Sequence, residues 1–209
     1  MSGMSEIAQL AARIFRKASG RDRFLVAIAG APGSVKSTLA AQLVELLAEA
    51  PAALVPMDGF HFDNQVIERR GLLKRKGAPE TFDFDGLKAM LMRLRTGGAD
   101  VAVPVFDRAA DLARASAAVV AANDRIVIVE GNYLLLDEAP WNMLGELFDC
   151  TIFLDVPRGV LAHRLVQRWL DHGLPEAEAR ERAFSNDMVN VERVVASRRE
   201  PDVEVEYKE

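Results

Sequence analysis

The apolar run Phe24-Leu25-Val26-Ala27-Ile28-Ala29 leads into Gly30-Ala31-Pro32-Gly33-Ser34-Val35-Lys36-Ser37. A stretch of helix-forming composition follows, from Lys36 to Ala50, and Pro51 closes it. A continuous apolar run of this length suits a strand buried on both faces of a parallel sheet. A glycine-rich turn between such a strand and a helix lets main-chain N–H groups converge on polyphosphate oxygens, with the helix N-terminus adding partial positive charge. In that setting Lys36 is expected to reach the β and γ phosphates. The Ser37 hydroxyl is expected to ligate Mg2+, and Thr38 to bond a neighbouring phosphate. The junction commits the chain to an α/β fold with a phosphate-binding edge.

The turn departs from the pattern G-x-x-x-x-G-K-[ST] at one position: Val35 stands where the second glycine belongs. A Cβ there is expected to point toward the phosphates, and β-branching restricts φ and ψ. Two readings stay open. The loop tolerates the residue with weakened affinity, or turnover is lost and the protein is a catalytically impaired nucleotide-binding pseudokinase.

Further strands are expected at Ala53 to Met57, Ala102 to Phe106, Ile126 to Val129 and Thr151 to Val156. Between them lie helical patterns: residues 64 to 100 in pieces, then Glu138 to Phe148, Arg158 to His172, and Pro175 to about Arg198. This alternation predicts a three-layer, doubly wound, mainly parallel sheet. No linker divides the 209 residues, so one domain is expected, with an N-terminal helix in 1–20, a core over 24–198 and a loose acidic tail over 201–209. The formal charge of −5 argues against a generally cationic nucleic-acid binder. No apolar run approaches the roughly 18–20 residues needed to span a bilayer, and the single cysteine fits a reducing, cytoplasmic setting.

Ligands of open α/β sheets gather at the carboxyl ends of the strands. Asp58 ends one expected strand and could accept the proton of an attacking hydroxyl, or simply start the turn at Gly59. Nearby His61 either contacts substrate or packs in that turn. Glu130 ends the strand Val127-Ile-Val-Glu130 and suits Mg2+, through water, or polarisation of the acceptor. Arg164 and Arg168, at i and i+4, could close over phosphates as a lid or pair with acids such as Asp171 on a solvated face. Together these residues predict ATP- and Mg2+-dependent phosphoryl transfer to a hydroxyl of a small metabolite.

The sequence resembles the P-loop small-molecule kinases that include uridine kinase, phosphoribulokinase and bacterial pantothenate kinase. It looks nearest the nucleoside/nucleotide kinase-like branch labelled fructose transport system kinase. The resemblance runs through residues 30–38, Met57-Asp-Gly-Phe-His-Phe62, Lys76-Gly-Ala-Pro-Glu-Thr-Phe-Asp83, Val103-Pro-Val-Phe-Asp-Arg108, Val129-Glu-Gly-Asn-Tyr-Leu134 and the helix from Arg158. It implies the P-loop nucleoside triphosphate hydrolase fold with a helical lid. It also implies Asp58 as base, Lys36 with Ser37 at nucleotide and metal, and Arg164 and Arg168 in the lid. By the same likeness, Lys76, Phe82, Asp83, Arg108 and Tyr133 line the acceptor pocket, and Asn186 and Asn190 reach toward it. The implied partner is a small molecule such as a nucleoside, sugar or pantothenate-like alcohol.

Overall fold

The computed structural model describes residues 5–47 and 50–207. Helix α1 spans Glu6–Ala18, capped by Ser5, and precedes strand β1 (Phe24–Gly30) and helix α2 (Lys36–Leu46). Strand β2 (Ala52–Pro56) runs into a 3-10 turn at Met57–Phe60, followed by α3 (Asn64–Arg69) and α4 (Phe84–Thr96). Strands β3 (Val101–Asp107) and β4 (Leu112–Val120) form an antiparallel hairpin. Then come β5 (Ile126–Gly131), β6 (Cys150–Asp155) and α5 (Arg158–Asp171). The chain continues through α6 (Glu176–Arg182), a π turn at Ala183–Asp187, α7 (Met188–Ala196) and β7 (Val203–Glu206).

The main sheet has the order β2-β5-β1-β6-β7, and every neighbouring pair is parallel. Every residue of β1 and β5 is buried, which is why both read as unbroken apolar runs rather than alternating ones. Their register sets Ile28 and Pro56 on either side of Glu130. Asp149 ties down the opposite rim: its carboxylate accepts from the Leu25 N–H at 2.9 Å and from Arg21 at 3.0 Å.

Four expectations change. The tail is not loose: Val203–Glu206 adds β7 to β6, and the Tyr207 N–H donates to the Asp155 carbonyl at 2.8 Å. Asp202 fastens the entry to that strand, its carboxylate accepting from the Thr151 N–H at 2.7 Å and the Thr151 hydroxyl at 3.0 Å. A four-residue edge strand of alternating valine and glutamate is too short and too polar to stand out from sequence. The segment expected as a helix from Glu138 to Phe148 forms 3-10 turns over Trp141–Leu147. The helix expected from Pro175 onward is interrupted by the π turn. Helix α2 ends at Leu46, and Ala48 and Glu49 of its expected extension lie outside the described residues, as do residues 1–4 of the N-terminal segment and 208–209 of the tail. Among the described residues no helix is long and apolar enough to cross a membrane.

Candidate active site

The loop between β1 and α2 is built on two left-handed residues. Gly33 has φ +83°, and a Cβ there would press against the Leu165 side chain at 3.3 Å. Val35 has φ 59° and ψ 29°, a conformation costing about 1–2 kcal/mol for a residue with a Cβ and uncommon for a β-branched one. The turn holds nonetheless: the Thr38 N–H donates to the Val35 carbonyl at 3.0 Å. The Val35 side chain is 48% exposed and lines a groove bounded by α1, the start of α2 and β7. Gly30 and Ala31 are buried under the loop, Pro32 starts its turn, and the buried Ser34 hydroxyl has no hydrogen-bond partner among the described residues.

Lys36, Ser37 and Glu130 meet beneath the loop. The Ser37 hydroxyl donates to Glu130 Oε1 at 3.0 Å, and Lys36 Nζ lies 3.9 Å from Oε2. Glu130 is 4% exposed, and burial raises its pKa against the opposing pull of Lys36. One hydroxyl and one carboxylate are hard oxygen donors, the chemistry Mg2+ prefers when phosphate and water complete its shell. Among the described residues no group of three or more His, Cys, Asp or Glu could hold a metal, so the fit is to an ion shared with substrate phosphates.

Asp58 sits in the 3-10 turn directly after β2, beside the end of β5. Its carboxylate, 26% exposed, accepts from Arg108 Nη2 at 3.1 Å, and the arginine is 75% exposed. The hairpin that carries Arg108 comes this near because residue 59 is glycine: a Cβ there would run into the Pro104 carbonyl.

A profile for the phosphoribulokinase / uridine kinase family matches residues 25–173. A Schizosaccharomyces pombe protein named "putative uridine kinase" is 36% identical over 195 residues, covering 88% of this chain and 83% of its own. The chain belongs to the phosphoribulokinase / uridine kinase family. A protein of known structure from Silicibacter sp. TM1040, described as a "putative fructose transport system kinase", is 47% identical, aligned over 97% of this chain and 100% of that one with a TM-score of 0.92. The pantothenate kinase of Myxococcus xanthus is 37% identical over 158 residues, 70% of this chain and 50% of its own length.

This phosphoribulokinase / uridine kinase family member is therefore a small-molecule kinase with the P-loop fold, of a family that generally works with ATP and Mg2+. Several residues expected at the acceptor pocket are engaged in internal packing and hydrogen bonds. Phe82 and Tyr133 are buried, the Tyr133 hydroxyl donates to the Gly77 carbonyl, and burial drives that hydroxyl's pKa far up. Asp83 caps α4 by accepting from the Gly86 N–H at 3.0 Å. His61 stacks on Phe82 with ring centroids 3.9 Å apart. Lys76 donates to the Asp111 carboxylate and the Asn64 side chain, each at 2.7 Å. Asn186 donates to the Lys76 carbonyl at 2.9 Å, while its own Oδ1 and that of Asn190 are buried without a partner among the described residues.

The two arginines expected in the lid part company. Arg164 Nη1 donates to the Gly33 carbonyl at 3.2 Å, so it touches the loop directly. Arg168 instead pairs at 2.8 Å with Asp187 in the π turn, and Trp169 Nε1 donates to the same carboxylate at 2.6 Å. The alternative partner weighed for these arginines, Asp171, accepts from Gln167. Sequence reasoning missed Asp111, Asp187 and Tyr207. The first two are partners fixed only by the fold, and Tyr207 lies in the tail expected to be loose.

Proposed function

We propose that this kinase transfers the γ-phosphoryl group of ATP to a hydroxyl of a small metabolite, with Asp58 as general base. The reading rests on one observation: the partly exposed Asp58 carboxylate lies at the strand end next to Glu130, which meets Lys36 and Ser37 under the loop. The loop amides and Lys36 hold the donor phosphates. Asp58 takes the proton of the acceptor hydroxyl as its oxygen bonds to the γ-phosphorus, and the bond to the β-γ bridging oxygen breaks to release ADP. Mg2+, when bound by Ser37 and Glu130, supplies charge neutralisation on the phosphate oxygens. Arg164 steadies the loop from above, and Arg108 orients the Asp58 carboxylate. Most of the rate gain comes from positioning and charge stabilisation.

Uridine and pantothenate, in the names of two relatives, are both alcohols, which supports a hydroxyl acceptor. Cys150, the sole cysteine, is free and buried, in keeping with our proposal of a cytoplasmic enzyme, and the net charge of −5 favours action on metabolites rather than on nucleic acid. The test is coupled ADP release over a panel of nucleosides, sugars and pantothenate-like alcohols. Asp58→Asn is expected to lower acceptor-dependent turnover by about 10²–10⁴-fold while ATP still binds. Folded wild-type protein that releases no acceptor-dependent ADP across the panel would overturn the proposal.

A further inference from the structure

Val35 is the feature the phosphate chemistry does not use. It lines a groove of about 860 Å³, a size within the roughly 300–1,000 Å³ usual for small-molecule sites. Arg13 of α1 and Val205 of β7 line its outer part, and Val35, Thr38, Leu39 and Tyr207 the end nearest the loop. The Tyr207 ring lies under the Arg164 guanidinium, 4.5 Å away, and the same guanidinium reaches the loop at Gly33. The groove therefore borders the loop at Val35 and Thr38, and its Tyr207 packs under a residue that touches the loop.

Transfer requires the γ end of the donor to face Asp58, so the α-phosphate and nucleoside must leave the loop on the side away from Asp58. There the chain meets the Val35 methyl groups and the Tyr207 ring. A strained residue kept where glycine would be relaxed suggests a ligand clamp. We infer that Val35 is a donor-specificity residue: its branched side chain, with Tyr207 across from it, grips the nucleoside half of the donor. This rests on the reading that the loop binds the donor triphosphate, and adds to it which group discriminates the nucleoside from bare phosphates.

The experiment measures equilibrium binding of Mg-ATP and of Mg-tripolyphosphate to wild type, Val35→Gly and Tyr207→Ala, with folding checked by thermal melts. No acceptor is needed. Wild type is expected to bind ATP more tightly than tripolyphosphate. Each variant is expected to lose about 5- to 20-fold in ATP affinity, the scale of one or two buried methyl groups, with tripolyphosphate affinity unchanged within about two-fold. Tighter or unaltered ATP binding by Val35→Gly overturns the inference. So does a parallel loss for both ligands, which assigns Val35 to loop geometry. Equal wild-type affinity for the two ligands overturns it while leaving the phosphate site standing, and no binding of either overturns the donor reading as well.

Discussion

At the scale of single residues, Val35 separates what a motif says from what a backbone does. The pattern shows that a glycine is missing, but the direction of the replacing side chain depends on the sign of φ, which only the folded loop reveals. With φ at 59° the valine stores strain that glycine would release. Val35→Gly is expected to raise the melting temperature of the ligand-free protein by about 2–4 °C, the shift about 1 kcal/mol gives in a chain this long. An unchanged or lower melting temperature would show that the strain is relieved elsewhere. His61 offers a second test. Burial, its largest influence, lowers its pKa below the ordinary 6.5, against the opposing pull of Asp58. The unfolded ring takes up a proton at a pH where the folded one does not, so stability falls as pH drops below 6.5 toward the folded value. His61→Phe keeps the stack on Phe82 and removes the titration. Urea unfolding should show wild type losing stability relative to the variant as pH falls below about 6.5.

At the scale of elements, strands buried on both faces were legible because burial forces continuous apolar composition, as in β1 and β5. Strand β4 was not: Leu112 to Val120 is mostly exposed and rich in alanine, so no apolar alternation marks it. The tail strand was hidden for a related reason: only Val203 and Val205, half-buried and alternating with glutamate, pack on the core, and backbone pairing and the Asp202–Thr151 bonds help to hold it. Asp202→Ala removes an acceptor for two Thr151 donors and should cost about 1–2 kcal/mol. The loss would be read from denaturant midpoints, together with faster proteolysis at residues 203–207. A variant tail as protected as the native one would show that β7 pairing suffices alone. The arginines of α5 were placed on the correct helix by spacing, but their partners were not. The Asp187 carboxylate that holds Arg168 comes from a π turn, a distortion that helical periodicity cannot reveal.

At the scale of the whole molecule, the chemistry collects along one rim of the parallel sheet, where β2 and β5 deliver Asp58 and Glu130 and β1 opens into the phosphate loop. That half was readable because Asp58 and the phosphate loop directly follow apolar strands and Glu130 closes another. The expected acceptor residues were harder, since Lys76 and Asn186, joined by a hydrogen bond, and Arg108, on Asp58, come from separate segments. Binding at this rim should stabilise the entire fold. Mg-ATP at about 100 times its dissociation constant is expected to add about 2.7 kcal/mol, seen as a thermal shift that Asp58→Asn keeps and Lys36→Ala loses. Loss of the shift in Asp58→Asn would mean that Asp58 also belongs to the donor site.

The β3–β4 hairpin forms a sheet of its own and packs through Gly59 against the turn bearing Asp58. Because no ladder stitches this ribbon to the five parallel strands, it can be exchanged like a cassette. On the proposed function, grafting the corresponding ribbon from a relative, which replaces the Arg108 that bonds Asp58, is expected to alter acceptor choice and leave the proposed donor site in place.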